Sequence, residues 1–248
     1  MSDDRPTLVV IAGANGAGKS TLTRSGLPGD RPVIDPDAIA RQINSENVEV
    51  AGVAAGREAV KQQNDFLDRR ESFAVETTLS GNRTLKLMDE ARSRGFEVEL
   101  HYVRLNSPDA NVARVANRVE RGGHDVPAQD VLRRYERSYE NLPEAIARSD
   151  RTDLHDNSGA RLIRVAELRR DGFRFRDDPP HWATESAMTA ARTMERNADT
   201  EAESDRAALR YGEAAVAAGA MTQEDLDDLR ERIEDDDAGK DSEPGLRH

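Results

Sequence analysis

The sequence predicts an α/β sandwich of three layers around a mostly parallel sheet, on three observations. Apolar, β-branched runs of strand length alternate with helix-patterned stretches from Leu8 to Phe175, as repeated strand–helix–strand units require. The first run, Leu8-Val9-Val10-Ile11, opens into a glycine-rich loop and then a helix, the order that places a ligand at a sheet's carboxyl edge. Beyond Asp177-Asp178-Pro179-Pro180 the strand signal stops and Ala, Glu, Arg and Asp dominate. Residues 1–178 therefore read as the α/β domain and 179–248 as a helical, acidic extension with a partly disordered end.

Gly13-Ala14-Asn15-Gly16-Ala17-Gly18-Lys19-Ser20-Thr21 fits the phosphate-binding pattern G-x-x-x-x-G-K-[ST] in the right strand-to-helix context. Its glycines let backbone N–H groups turn inward on phosphate oxygens, and the helix start adds the favourable end of its dipole. Lys19 is placed to reach the β and γ phosphates, and the Ser20 hydroxyl to ligate Mg²⁺. The chain has four lysines against thirty-two arginines, so a lysine at this position is not filler.

Val33-Ile34 is a short buried strand that ends in Asp35-Pro36-Asp37. Asp35 suits the N-cap and Pro36 the first helical position, which leaves Asp37 in the first turn of a helix through Ile39, Ala40 and Ile43. Val48 to Arg69 reads as a scaffold helix. Phe73 to Leu79 is a strand whose last positions, Glu76, Thr77 and Thr78, are polar; they either meet a ligand or cap the helix from Arg83 to Arg94. Val98 to Leu105 is the next strand, and His101 within it reads as packing or a hydrogen bond.

Ser107-Pro108-Asp109 opens a helix with Arg114, Arg118 and Arg121 on one face. Gly122-Gly123-His124-Asp125-Val126-Pro127 breaks it, and a second helix carries Arg133, Arg134 and Arg137. Two arginine-bearing helices joined by a Gly-Gly turn read as a hinged lid over the phosphates, the alternative being an arginine-rich chain that decorates solvated faces. Leu154 to Asp156 is a short strand followed by the Asn157-Ser158-Gly159 turn, where Asn157 either contacts nucleotide or makes the turn. Arg161 to Leu168 is read as the last strand.

The net charge of −12 argues against broad nucleic-acid or anionic-membrane binding, and no run approaches a membrane span or a signal peptide. Without cysteine there is neither a disulfide nor a thiolate metal site, which fits a reducing cytoplasm. From Glu195 onward, seventeen acids face seven bases, a net −10; the extension either docks on the α/β domain as a stabilising arm, stays a solvated tail, or is drawn to an arginine-rich rim and restrains entry there.

Over roughly Thr7 to Leu168 the sequence resembles the zeta-toxin family of P-loop kinases. The segments that carry the resemblance are Gly13 to Thr21, Asp35 to Ile39, Glu76 to Ser80, Arg118 to Pro127, Arg133-Arg134-Tyr135 and Asn141-Leu142. The resemblance implies a cytoplasmic kinase that moves the γ-phosphate of ATP or GTP to a hydroxyl of UDP-N-acetylglucosamine, and a toxin restrained by a small helical antitoxin. It implies that Asp37 takes the acceptor proton, that Glu76 with Thr77 or Thr78 contacts the sugar nucleotide, and that Arg121 and Arg134, with Arg118, act from the lid. Glu76 or Asp35 would supply a second Mg²⁺ ligand. Ala51 to Arg70 and the tail from Pro179 lie outside the pattern, so a kinase for another hydroxyl metabolite or nucleotide cofactor, and a nucleotide-switched binding protein, stay open as alternatives.

Overall fold

The computed structural model describes residues 5–44, 48–123 and 125–241. His124 of the lid turn and the expected disordered end at 242–248 lie outside the described residues. One seven-stranded sheet runs in the order β2-β3-β1-β4-β5-β6-β7. Its strands are β1 (Thr7–Ala12), β2 (Val33–Ile34), β3 (Phe73–Thr77), β4 (Glu97–Arg104), β5 (Arg151–Asp156), β6 (Ile163–Arg169) and β7 (Gly172–Phe175). β1 is buried along its whole length and pairs in parallel with β3 and β4, which explains its unbroken apolar sequence. The first five strands are parallel, whereas β6 and β7 return antiparallel. Residues 157–162 are too short a link for a parallel crossover. The seventh strand is absent from the sequence reading because Gly172-Phe-Arg-Phe is too brief to show a period.

Helices cover the two sheet faces unequally. The larger core joins Leu8, Val10, Val75, Leu100, Tyr102 and Leu154 to α2 (Pro36–Ile43), α3 (Val48–Arg69), α4 (Arg83–Ser93), α7 (Leu142–Ala147) and α8 (His181–Arg196). On the other face Val9, Ile11, Ala74 and Val103 meet Ala17 and Leu22, the latter from α1 (Lys19–Arg24). The two lid helices, α5 (Pro108–Glu120) and α6 (Ala128–Glu140), share a small cluster of their own around Val115, Val126 and Val131.

α8 is built into the larger core. Ala183, Ala187, Ala190 and Ala191 are fully buried, and Trp182 meets Tyr102 edge-on at 6.1 Å. The alanines that weaken the sequence signal are what allow the helix to approach so closely. Trp182→Ala is expected to lower unfolding free energy by about 3 kcal/mol, read as a lower urea midpoint. An unchanged midpoint would take α8 out of the core.

α9 (Glu201–Ala217) packs on α8 and β7, and α10 (Gln223–Asp241) on α9. α10 starts at a capping box: Thr222 N–H donates to Asp225 Oδ2 at 3.0 Å, and Asp225 N–H to Thr222 Oγ1 at 3.1 Å. Glu213 of α9 accepts from the Phe173 N–H, and Arg210 donates to the Arg170 carbonyl. Those contacts gather at the β6–β7 turn. Because Arg169 at the end of β6 lies beside Arg151 at the start of β5, that turn is at the opposite sheet edge from the glycine loop. From α9 on, the described part of the acidic segment is thus docked as an arm at the edge opposite the loop rather than drawn to the arginine rim.

Candidate active site

The site grows from the carboxyl end of β1. Gly13, Gly16 and Gly18 all have positive φ, at 140°, 79° and 112°. Crowding also excludes side chains: a Cβ on Gly13 would lie 2.3 Å from the Val103 carbonyl oxygen, and one on Gly18 2.3 Å from Asn157 Nδ2. Inside the curl, Lys19 Nζ donates to the Gly13 carbonyl at 2.8 Å and to Ala14 at 3.3 Å. The residue is only half-buried as a whole, yet protein surrounds its ammonium. Burial pushes the Lys19 pKa below the usual lysine range, against the pull of Glu76, Asp37 and Asp35, and Arg118 adds a smaller push the same way.

The carboxylates arrive from two neighbouring strands. Glu76 lies beside Ile11 in the β1–β3 register; its Oε1 accepts from Ser20 Oγ at 3.3 Å and its Oε2 from Thr23 Oγ1 at 3.1 Å. Asp35 is the N-cap of α2, taking the Asp37 N–H on Oδ1 at 2.9 Å, and it lies 3.7 Å from Arg41. Asp37 itself is exposed in the first turn, its carboxylate in no hydrogen bond or ion pair among the described residues. Thr77 and Thr78 are used within the turn after β3. Thr77 Oγ1 accepts from the Leu79 N–H and shares a hydrogen bond with Thr84, while Thr78 shares one with Ser80.

Three side chains from beyond the loop grip it. Asn111 of α5 donates to the Asn15 carbonyl at 2.7 Å, and Arg134 of α6 donates to Asn15 Oδ1 at 3.0 Å. Asn157 donates to the Ala17 carbonyl at 2.8 Å, and Arg114 holds the Asn157 carbonyl at 2.6 Å. Asn157 therefore buttresses the loop as well as ending β5. Asn111 escaped the sequence reading, though a polar side chain on the inward side of an amphipathic helix is a usable sign.

Of the lid arginines, Arg134 reaches the loop directly and Arg118 lies close enough to act on the Lys19 charge. Arg121 sits exposed at the end of α5, just before Gly122 with φ 81°. The hinge is narrower than the sequence suggests, because α6 is fastened to the body. Tyr135 OH donates to the Leu105 carbonyl at 2.9 Å, and Tyr102 and Ser138 share a hydrogen bond of 3.2 Å. The Arg104 guanidinium lies 4.3 Å from the Tyr135 ring centre and 3.9 Å from that of Tyr139.

A family model described as Zeta toxin matches residues 1–166. A Haemophilus influenzae protein described as uncharacterized is 39% identical over 125 residues, 50% of this chain and 89% of the relative. Among solved structures, the crystal structure of AvrRxo1-ORF1:-ORF2 with ATP is similar with a TM-score of 0.61 at 14% identity, over 87% of this chain and 80% of that one. The PezAT chromosomal toxin–antitoxin system of the human pathogen Streptococcus pneumoniae gives a TM-score of 0.52 at 20% identity, over 65% of this chain and 73% of that one. At such identities the two structures speak for the fold.

Proposed function

This chain belongs to the zeta toxin family, and from that premise we propose that it is a kinase that transfers the γ-phosphate of ATP or GTP to a hydroxyl of UDP-N-acetylglucosamine. The observation that carries the reading is the convergence of Lys19, Asp37, Glu76, Arg118 and Arg134 on one mouth at the carboxyl edge of the sheet. The backbone of Gly13 to Thr21 holds the triphosphate. Lys19 exchanges the Gly13 and Ala14 carbonyls for phosphate oxygens, and in its dry setting its charge acts more strongly than in water.

Ser20 and Glu76, with Asp35 near, offer only oxygen donors, which suits Mg²⁺. Bound there, Mg²⁺ would neutralise charge on the phosphate oxygens. Asp37 orients the acceptor hydroxyl, whose oxygen bonds to the γ-phosphorus as the bond to the bridging oxygen breaks. The nucleoside diphosphate leaves, and Asp37 accepts the hydroxyl proton late in the step. Arg118, Arg121 and Arg134 balance the charge of the transferring group. Arg134 is tied to the loop through Asn15, so lid and loop act as one unit.

Incubation with ATP, Mg²⁺ and UDP-N-acetylglucosamine, followed by mass spectrometry, is expected to show one phosphate gained by the sugar nucleotide. Phosphate on another hydroxyl metabolite instead would replace the acceptor. Free phosphate released at one slow rate with or without acceptor would favour a nucleotide-driven switch. Arg134→Ala is expected to lower kcat roughly 10²-fold with a smaller change in nucleotide Kd, and Arg121→Ala to follow the same pattern. An unchanged kcat in both would remove these arginines from the transfer step.

The cellular role in this reading is that of a toxin in the cytoplasm, held in check by a small helical antitoxin. The family description and the toxin–antitoxin system named for the pneumococcal structure support it. Among the described residues no helix is long and apolar enough to cross a membrane.

A further inference from the structure

On the thinly covered face of the sheet, one pleat below the glycine loop, β4 and β5 bring together groups that phosphoryl transfer does not use. Glu99, His101 and Val103 alternate onto this face, with Asp153 beside His101 and His155 beside Val103 in the parallel register. His101 is 2% exposed and His155 6%. His101 Nδ1 and His155 Nε2 are both buried with no hydrogen-bond partner, an expensive state for two ring nitrogens. One ligand atom from each of His101, Asp153 and His155 lies within 4.8 Å of the other two. We infer that His101, Asp153 and His155 form a binding site for a divalent transition-metal ion of the zinc type.

The surrounding groups are arranged as such a site needs. Glu99 Oε1 lies 2.8 Å from His101 Nε2, so that nitrogen carries the proton and the Nδ1 lone pair points inward. Arg169 holds Asp153 Oδ1 at 2.6 Å, which leaves Oδ2, 3.7 Å from His101 Nδ1, to face the ring. Donors about 2.0–2.2 Å from a tetrahedral ion sit closer together than these do, so the three side chains contract by a small rotamer adjustment. Arg164, 3.5 Å from Asp153 Oδ2 and half-exposed, swings aside and keeps its pair with Glu167. Two imidazoles and one carboxylate with no cysteine in the chain suit zinc and its neighbours rather than Cu(I), and the fourth position falls to water.

Occupancy would pin β4 to β5 just where they support the loop, since Val103 crowds Gly13 and Asn157 holds Ala17. The full-length protein, stripped with chelator and kept in Mg²⁺, is titrated with Zn²⁺ and passed through gel filtration. The expected result is about one equivalent retained and a Tm raised by several degrees. Both effects should vanish in His101→Gln and His155→Gln and persist in His181→Gln, whose histidine is exposed on α8. Retention below about a tenth of an equivalent, or equal retention in both cluster variants, overturns the inference. Should those variants fail to fold, X-ray absorption of the zinc-loaded wild type decides: two imidazoles in the metal shell support the site, and a shell without them refutes it.

Discussion

Lys19→Ala is expected to reduce phosphoryl transfer by roughly 10²–10³-fold, the scale of losing one preorganised charge partner in a dry site. The ammonium is enclosed by the curl of Gly13 to Gly18, where two carbonyls hold it until a triphosphate takes their place. Lys19→Arg should not restore activity, because a planar guanidinium cannot occupy the point that the ammonium fills. The buried lysine also fixes the sign of a pH effect. Its pKa is held below the free value of 10.5 by desolvation, so it loses its charge earlier than a free lysine as pH rises. Nucleotide affinity should accordingly weaken on the alkaline side before a free lysine would titrate, and Lys19→Ala should flatten that decline. Wild-type turnover in Lys19→Ala would refute the kinase reading as a whole.

Asp37→Asn should separate binding from transfer. Asp35 supplies the cap of α2 and Asp37 does not, so the substitution leaves the helix start intact. Loss of a proton acceptor positioned at the reacting hydroxyl is expected to lower kcat by about 10²–10⁴, with the nucleotide Kd changed only a few-fold. Calorimetric titration with a non-hydrolysable ATP analogue reads the second quantity. Abolished nucleotide binding in Asp37→Asn would reassign this carboxylate to the metal or the fold. Asp35→Asn is the informative companion: asparagine still caps α2, so any loss it causes reads the Asp35 charge near Lys19 and the metal rather than the helix start.

The parts of the site that were legible in the sequence are those whose chemistry is local. The loop declares itself through glycine conformation and one lysine, and Asp35-Pro36 announces a helix start through capping and fixed φ. What the sequence hid depends on residues far apart in the chain. The hold of Asn111 and Arg134 on Asn15, and of Asn157 on Ala17, arises only once the strands lie side by side. Thr77 and Thr78 carried two readings in the sequence, ligand contact or local capping, and in the structure their hydroxyls hydrogen-bond within a turn in which Leu79 adopts φ 56°. The reversal of direction at β6 could have been read from the short link 157–162, which leaves no room for a crossover helix. The depth of α8 in the core was hidden because alanine adds little to an apolar pattern while permitting the tightest packing.

The burial of α8 sets a timetable for synthesis. A ribosome releases the nucleotide loop early, but Trp182 and the alanines that seal the core above Tyr102 emerge last among the central elements. At common translation speeds roughly ten to thirty seconds separate the two events. Throughout that interval the emerging strands lack the helix that closes their larger core. Folding of the larger core is deferred until the message has been read well past the segment that encodes the chemistry, and a chain ending before α8 is expected to unfold at a lower urea concentration than the full-length protein.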